Sequence, residues 1–426
     1  MFSTVSNSYL ERVVDPIVAE KLSGSGGVII EGPKACGKTA TAMRHAHTVH
    51  FVDTDDAFRQ LFSLDPALAL EGNTPILLDE WQVELPLWDH VRRQIDLRQA
   101  PGQFILSGSA MPAEEQKGHS GVGRFARVRM RPMTGLERGV FSGGVSLNRI
   151  LHGEQISPYK VEKLSVPELI EVMVHGGWPA DHDATLRSAR SHVADYVDRM
   201  ASYDVFDAAG SRIRRPLGVR ALMRSLARNV GQAPSLSTLV ADVSASDGLV
   251  DRGTVARWLE ALQRLFFVEA VDAWYPQLRS KATIRTSPVF YLADSSLSAF
   301  LLGANDKNLL DDLETAGFIF ENYAYQQLVV YAEALGGQVM HYRDSNGKEF
   351  DSVIVLEDGS WAGVEVKLGA SRIPAGIDSL ISTAHSIDVS VLGEPRALIL
   401  IVGSAELAYT DPATHVHVIP IQALQA

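Results

Sequence analysis

The sequence predicts an α/β fold: a parallel sheet with helices in the first third, a mainly helical middle, and a second α/β domain at the end. Three observations carry this. Short apolar runs alternate with helical stretches as far as about residue 140, a glycine-rich loop joins the first run to a helix, and strand patterns return after about residue 285. The boundaries these changes imply are 1–145, 146–280 and 281–426.

The chain of 426 residues is long enough for several cores, and its 46% hydrophobic and 21% charged residues are ordinary for globular proteins. No apolar run reaches the roughly 18 residues of a membrane span. The opening MFSTVSNSYLERVV lacks the basic and then apolar profile of a secretion signal. One cysteine cannot make an internal disulfide, so the expected location is the cytoplasm, with no membrane partner. The net charge of −12 is concentrated at the end, where residues 276–426 carry nine basic and eighteen acidic side chains. That excludes a basic nucleic-acid footprint at the level of this domain and leaves only local patches for such a role.

In the first third, Val28–Glu31 is a strand that runs into Gly32-Pro33-Lys34-Ala35-Cys36-Gly37-Lys38-Thr39, and Thr39–His45 begins a helix. This is the GxxxxGK[ST] pattern, extended by Ala40. The glycines let backbone N–H groups face a phosphate, and the helix N-terminus favours negative charge. Lys38 reaches the β- and γ-phosphates, and Thr39 offers a hydroxyl to Mg²⁺. The expected cofactors are therefore ATP and Mg²⁺. Cys36 reads as a small residue filling the loop, although backbone dipoles at such a position also favour a thiolate.

Val49–Val52, Ile76–Leu78, Phe104–Leu106 and Val128–Met130 are the other strand candidates. The second-half signal is Pro75-Ile76-Leu77-Leu78-Asp79-Glu80, where Asp79 stands to hold the cation and Glu80 to polarise the attacking water. Phe104–Ser109 ends in hydroxyls, and Ser107 suits a sensor between the two earlier motifs. Turn formation accounts for the same serines. Arg127, Arg129 and Arg131 share a strand face that reads as solvated. Arg124, after Gly121-Val122-Gly123, is the candidate arginine finger, a group worth about 10³–10⁵ in rate. A finger supplied by a neighbouring subunit would require a homo-oligomer.

In the middle, Ser237–Val243 and Thr254–Phe266 are helices around a turn at Gly248–Asp251, and a β-rich piece, Val268–Trp274, follows. This order fits either a winged helix or an ordinary helical hairpin, with Arg252, Arg257 and Arg264 available to phosphates. The last part has a strand at Pro288–Ala293, a helix at Phe318–Ala334, a hairpin of Asp351–Leu356 with Trp361–Lys367, and strands at Ala397–Val402 and His415–Ile421. Asp351, Glu365 and Lys367 have the D…ExK spacing of a metal-dependent nuclease core, with Glu321 as a fourth member on the preceding helix. Glu365 and Lys367 share a strand face. A three-residue loop, Glu357-Asp358-Gly359, pairs Asp351 with Glu365, whereas a two-residue Asp358-Gly359 turn puts it on the other face. Convergence would create a site for Mg²⁺ or Mn²⁺ with Lys367 beside the attacking water, and DNA or RNA as partner. A solvated strand in an acidic domain explains the same residues without chemistry.

Taken in order, the phosphate loop, LLDE at 77–80, ILSGSA at 105–110, GR at 123–124, RPM at 131–133, GGWPA at 176–180, FENYAYQQL at 320–328, KEFD at 348–351 and VEVKLG at 364–369 resemble a family of prokaryotic AAA-type ATPases. In that family the C-terminal half is a domain of unknown function similar to a PD-(D/E)XK restriction-endonuclease fold. The resemblance implies an AAA-type P-loop NTPase core, a helical and winged-helix-like middle and a nuclease-like end. The expected function is ATP hydrolysis whose nucleotide state controls a nucleic-acid-directed module. The alternative is a nucleotide-gated regulatory or toxin-like interaction protein whose nuclease-like fold is inert.

Overall fold

The structure, a computed structural model, describes residues 9–108, 121–211, 214–275, 287–344 and 346–426. Ser109 and Ala110 of the third strand motif, the loop from Met111 to residue 120 and the boundary expected at residue 280 lie outside these residues. The chain divides into two compact units. One is Met1–Met133 with Arg264–Phe266, and the other is Thr134–Gln263 with Phe267–Ala426.

In the first unit five strands, β1 (Gly27–Glu31), β2 (Thr48–Phe51), β3 (Ile76–Asp79), β4 (Phe104–Gly108) and β5 (Phe125–Arg129), form one sheet in the order β2-β3-β4-β1-β5. Every pairing is parallel. The connections include α1 (Asp15–Gly24) before β1, α2 (Lys38–His45), α3 (Asp56–Leu64), α4 (Pro66–Ala69) and α5 (Leu87–Arg98). Alternating side chains explain why helices cover both faces. Ile29, Ile76, Leu78, Phe104 and Leu106 point to Phe58, Phe62, Val91 and Ile95 of α3 and α5. Val28, Ile30, Leu77, Ile105 and Val128 point to Val18, Leu22 and Ala42 of α1 and α2. Leu77 is fully buried, so truncation to alanine would cost about 2–5 kcal/mol.

The second unit contains eleven strands among the described residues: β6 (Val145–Ser146), β7 (Tyr159–Lys160), β8 (Val268–Val271), β9 (Val289–Leu292), β10 (Gln338–Arg343), β11 (Glu349–Val355), β12 (Trp361–Gly369), β13 (Ala397–Ser404), β14 (Leu407–Thr410), β15 (His417–Pro420) and β16 (Leu424–Gln425). Seven of them make a mixed sheet in the order β10-β11-β12-β13-β15-β14-β7. β12 is parallel to β13 and antiparallel to β11. The helices are α6 (Leu147–Leu151), α7 (Val166–His175), α8 (Leu186–Arg199), α9 (Val205–Ala208), α10 (Pro216–Arg228), α11 (Leu236–Asp247), α12 (Arg252–Arg264), α13 (Ser295–Leu301), α14 (Asn308–Asp311), α15 (Leu313–Ala334), α16 (Ile373–Ala384) and α17 (Val389–Leu392). Both α15 and α16 pack on β12, whose residues 361–366 are buried, which explains their unbroken apolar pattern apart from Glu365.

The first unit ends near residue 133 rather than 145 because the following segment pairs and bonds within the second unit. The Gly135 N–H donates to Gln327 Oε1 at 2.8 Å, β6 pairs with β16, and β7 pairs with β14. Dipeptide strands of this kind leave no periodic signal in sequence. After α10, α11 and α12, the strands β8 and β9 pair antiparallel, and bridges from Val230 and Gln232 to Phe290 tie the helical segment to them. The Gly-Gly-Trp-Pro-Ala segment is a packing feature: Asp294 Oδ2 accepts the Gly177 N–H at 2.9 Å, and the Trp178 indole donates to Ser296 Oγ at 3.1 Å.

Candidate functional site: a phosphate loop and a buried acid–lysine cluster

The phosphate loop follows β1 and opens α2. Its curl needs unusual backbone conformations, with φ of +63° at Ala35 and +102° at Gly37, the residue preceding the helix. A residue with a Cβ is disfavoured at φ +102°, which is why glycine serves there. Lys38 is buried, and its ammonium donates to the carbonyls of Gly32 at 3.0 Å and Pro33 at 2.8 Å. These are weak partners for a buried charge, and the side chain is positioned to exchange them for phosphate oxygens.

β4 lies between β1 and β3, and register pairs Asp79 with Ser107. As a result three sequence-distant side chains meet at the C-terminal edge of the sheet. The Thr39 hydroxyl donates to Asp79 Oδ1 at 3.1 Å and Oδ2 at 3.0 Å, and the Ser107 hydroxyl donates to Asp79 Oδ1. Asp79 and Ser107 are buried. The donors are all oxygen, which suits Mg²⁺. Glu80 follows with φ +52°, a strained conformation for this residue, and accepts a hydrogen bond from Gln82 Nε2.

Arg124 and Arg131 depart from expectation, whereas Arg127 is exposed. Arg124 lies at the opposite, N-terminal edge of the sheet, where its carbonyl accepts the Gly27 N–H at 3.1 Å. The length of β1, roughly 13 Å, separates it from its own phosphate loop. Its Nε donates to Asp96 Oδ1 of α5 at 2.7 Å, a bond that raises the Arg124 pKa and lowers that of Asp96. Arg124 is therefore held away from the phosphate loop of its own chain. Arg127 pairs with Glu31 at 2.8 Å. Arg131 lies beyond the end of β5 and is buried rather than solvated.

In the second unit the hairpin adopts the three-residue loop. The Leu356 N–H donates to Ser360 O, and Gly359 has φ +80°. The ladder runs from Val355 opposite Trp361 to Ser352 opposite Val364, and Asp351 and Glu365 are the next residues along the two strands. Asp351 Oδ2 accepts the Val366 N–H at 2.7 Å, and Lys367 Nζ donates to Glu365 Oε1 at 2.6 Å. Glu321, on α15, joins through Tyr291 of β9, whose hydroxyl donates to Glu321 Oε1 at 2.7 Å and lies 3.5 Å from the Asp351 carbonyl. Gly231 is the close approach here: with φ +69°, a Cβ on it would lie 2.0 Å from Glu321 Oε1.

Electrostatics mark the cluster as under-compensated. Burial pushes the Glu321 pKa up to about 7 despite the Tyr291 hydrogen bond. Burial, then Glu321 and Glu365, push Asp351 well above the usual carboxylate range. Burial also raises Glu365 against the pull of Lys367. For Lys367, burial is outweighed by Asp351 and Glu365, so its pKa is raised and its charge retained. Glu365 Oε2 is buried with no hydrogen-bond partner. A cleft of about 610 Å³, lined by Gln232, Tyr275, Phe318, His341, Glu321 and Asp351 among others, opens on the cluster.

The expected cage of Asp351, Glu365 and Glu321 around a metal is not preformed. Among the described residues no three Asp, Glu, His or Cys side chains converge as cation ligands. The reason is local: Asp351 is turned onto the Val366 N–H, and the Lys367 ammonium takes one oxygen of Glu365. The orphaned Glu365 Oε2 and the crowded carboxylates nevertheless have the chemistry of a hard-cation site. Tyr291, Gly231 and Gln82 were not legible as site residues, since nothing in their spacing connects them to the carboxylates or to Glu80.

Residues 25–138 match the family described as an AAA domain. Residues 166–308 match a domain of unknown function (DUF8612), and residues 316–424 match another (DUF4143). Uncharacterized protein Rv2008c of Mycobacterium tuberculosis and uncharacterized protein Mb2031c of Mycobacterium bovis are each 25% identical to this chain over 346 residues, covering 80% of it and 70% of the relative. The solved structure of the Walker-type ATPase PABY2304 of Pyrococcus abyssi aligns with a TM-score of 0.40 at 12% identity, covering 69% of this chain and 96% of that one. Strand order, phosphate loop and the match over residues 25–138 together define the first unit as an ATPase-like P-loop domain of the AAA type. No described helix of the chain is long and apolar enough to cross a membrane.

Proposed function

We propose that the chain is an ATP-hydrolysing protein whose nucleotide state controls its C-terminal unit. The observation that carries this is the meeting of Thr39, Asp79 and Ser107 beside the buried Lys38. Lys38 exchanges the Gly32 and Pro33 carbonyls for the β- and γ-phosphate oxygens. The Thr39 hydroxyl and the Asp79 carboxylate would hold Mg²⁺, which when bound neutralises charge on the phosphates. Glu80 orients and polarises the attacking water, held in aim by Gln82. Ser107 fixes the Asp79 carboxylate and senses its displacement. Phosphate release is measured with wild type and Lys38→Ala. Turnover that persists in the variant excludes this site.

For the C-terminal unit, the reading is a phosphodiester-directed site that draws on a divalent cation. Its support is the nearness of Asp351, bonded to the Val366 N–H, to Glu365 and its partner Lys367, with an unsatisfied Glu365 oxygen. Asp351, Glu365 and Glu321 would hold Mg²⁺ or Mn²⁺, and Lys367 would steady the developing charge. Single- and double-stranded DNA and RNA are incubated with either cation and with wild type or Asp351→Asn. Cleavage by wild type alone supports the site. Equal cleavage, or none, favours the inert interaction module, for which the internal bonds of Asp351 and Lys367 speak. Cytoplasmic location and self-association belong to the same proposal.

A further inference from the structure

Resting on the nucleotide-binding reading above, we infer that Arg12 is a positioning residue that presets the phosphate loop. Arg12 lies in the segment before α1, outside every nucleotide motif, and its side chain is buried. Its guanidinium spans two backbone carbonyls: Nη1 donates to Cys36 O at 2.9 Å, and Nη2 donates to Arg131 O at 2.7 Å. The first of these carbonyls is inside the phosphate loop, and the second lies just past the end of β5.

The consequence follows from peptide geometry. In a planar trans peptide the carbonyl of one residue and the N–H of the next point in opposite directions. Fixing Cys36 O toward Arg12 therefore aims the Gly37 N–H away from Arg12. Gly37 has φ +102° and stands at the mouth of α2, so its peptide is one that glycine leaves free to rotate. A forked donor anchored at two carbonyls removes that freedom before any phosphate arrives. It also adds a positive charge behind the loop.

The anchor is itself held. The Arg12 N–H donates to Asp15 Oδ2 at 2.8 Å, and the Tyr9 hydroxyl donates to Asp15 Oδ1 at 2.7 Å. The same Tyr9 oxygen lies 2.9 Å from Thr41 Oγ1 on α2, and His45 Nε2 of that helix lies 3.4 Å from Asp15 Oδ1. Arg12 is thereby fixed to the helix that begins at the phosphate loop.

The test is a titration of the full chain with a fluorescent ADP and Mg²⁺, for wild type, Arg12→Ala and Arg12→Lys, with melting curves recorded without nucleotide. Arg12→Ala is expected to weaken ADP binding ~10-fold or more. Arg12→Lys, which keeps the charge but cannot span both carbonyls, should lie between. The ¹⁵N-resolved Gly37 amide should shift on ADP binding in wild type and shift less in Arg12→Lys, a change that a general loss of stability does not produce. If Arg12→Ala fails to fold, Arg12→Lys carries the comparison. Wild type that binds no ADP overturns the nucleotide reading, and this inference with it. Wild type that binds, matched within about twofold by Arg12→Lys and Arg12→Ala with an unchanged Gly37 shift, overturns this inference alone.

Discussion

The hydroxyl of Thr39 lies 3.0 Å from Oδ2 and 3.1 Å from Oδ1 of Asp79, although forty residues separate the two in the chain. The contact exists because β4 is inserted between β1 and β3 and brings Ser107 into the same cluster. It places a hydroxyl, a carboxylate and a second hydroxyl at one edge of the sheet.

Glu80→Gln separates binding from chemistry. The substitution keeps the shape of the side chain, and the Gln82 contact can re-form through the amide oxygen. Nucleotide affinity should stay within about twofold while turnover falls about 10²–10⁴-fold. Single-turnover phosphate release alongside ADP titration reads both. A loss of affinity equal to the loss of rate would assign Glu80 a binding role instead.

Arg124→Ala should leave turnover of dilute protein nearly unchanged, because the side chain is tied to Asp96 at the far edge of the sheet. Turnover measured over a concentration series distinguishes a role in a neighbouring copy. There, wild-type activity per molecule would rise with concentration and the variant's would not.

Gly231→Ala should destabilise the second unit by about 1–3 kcal/mol, since it combines a left-handed backbone with a Cβ pressed on Glu321. Thermal denaturation measures it. An unchanged melting temperature would mean that the Glu321 side chain moves aside without cost.

The raised pKa of Glu321 has a definite sign. Its ordinary value is 4.5 and its folded value about 7, so between these the folded state keeps a proton that the unfolded state has lost. The stabilising contribution is fully present below about pH 4.5 and lost as pH rises through about 7. Denaturation in chelator at several pH values should show wild type losing stability across this window relative to Glu321→Gln. Parallel curves for the two proteins would contradict it.

The carboxylates show how far sequence reasoning carries and where it stops. The spacing of Glu365 and Lys367 alone set them on one face, because strand side chains repeat every two residues. Asp351 was ambiguous by one loop residue, and the pairing of Val355 with Trp361 and of Leu356 with Ser360 resolved it. Tyr291 and Gly231 remained hidden because their link to Glu321 runs through tertiary packing between β9, α15 and the end of the segment after α10. The strands β10 and β14 and the helix α16 were also missed, and α16 proves to pack on the Trp361, Leu400 and Val402 side of the sheet.

By itself the sequence determined the phosphate loop and the places of the five strands of the first unit, although the fifth begins at Phe125 rather than Val128. These are local features, set by backbone freedom at glycine and by alternation of apolar side chains. Only the tertiary structure decided that Ser107 touches Asp79, that Arg124 faces away from the loop, and that Arg12 grips the Cys36 carbonyl. Each of those depends on strand order and on which edge of the sheet a residue reaches. Strand order is a non-local choice, made by burial of whole faces rather than by any short run of residues.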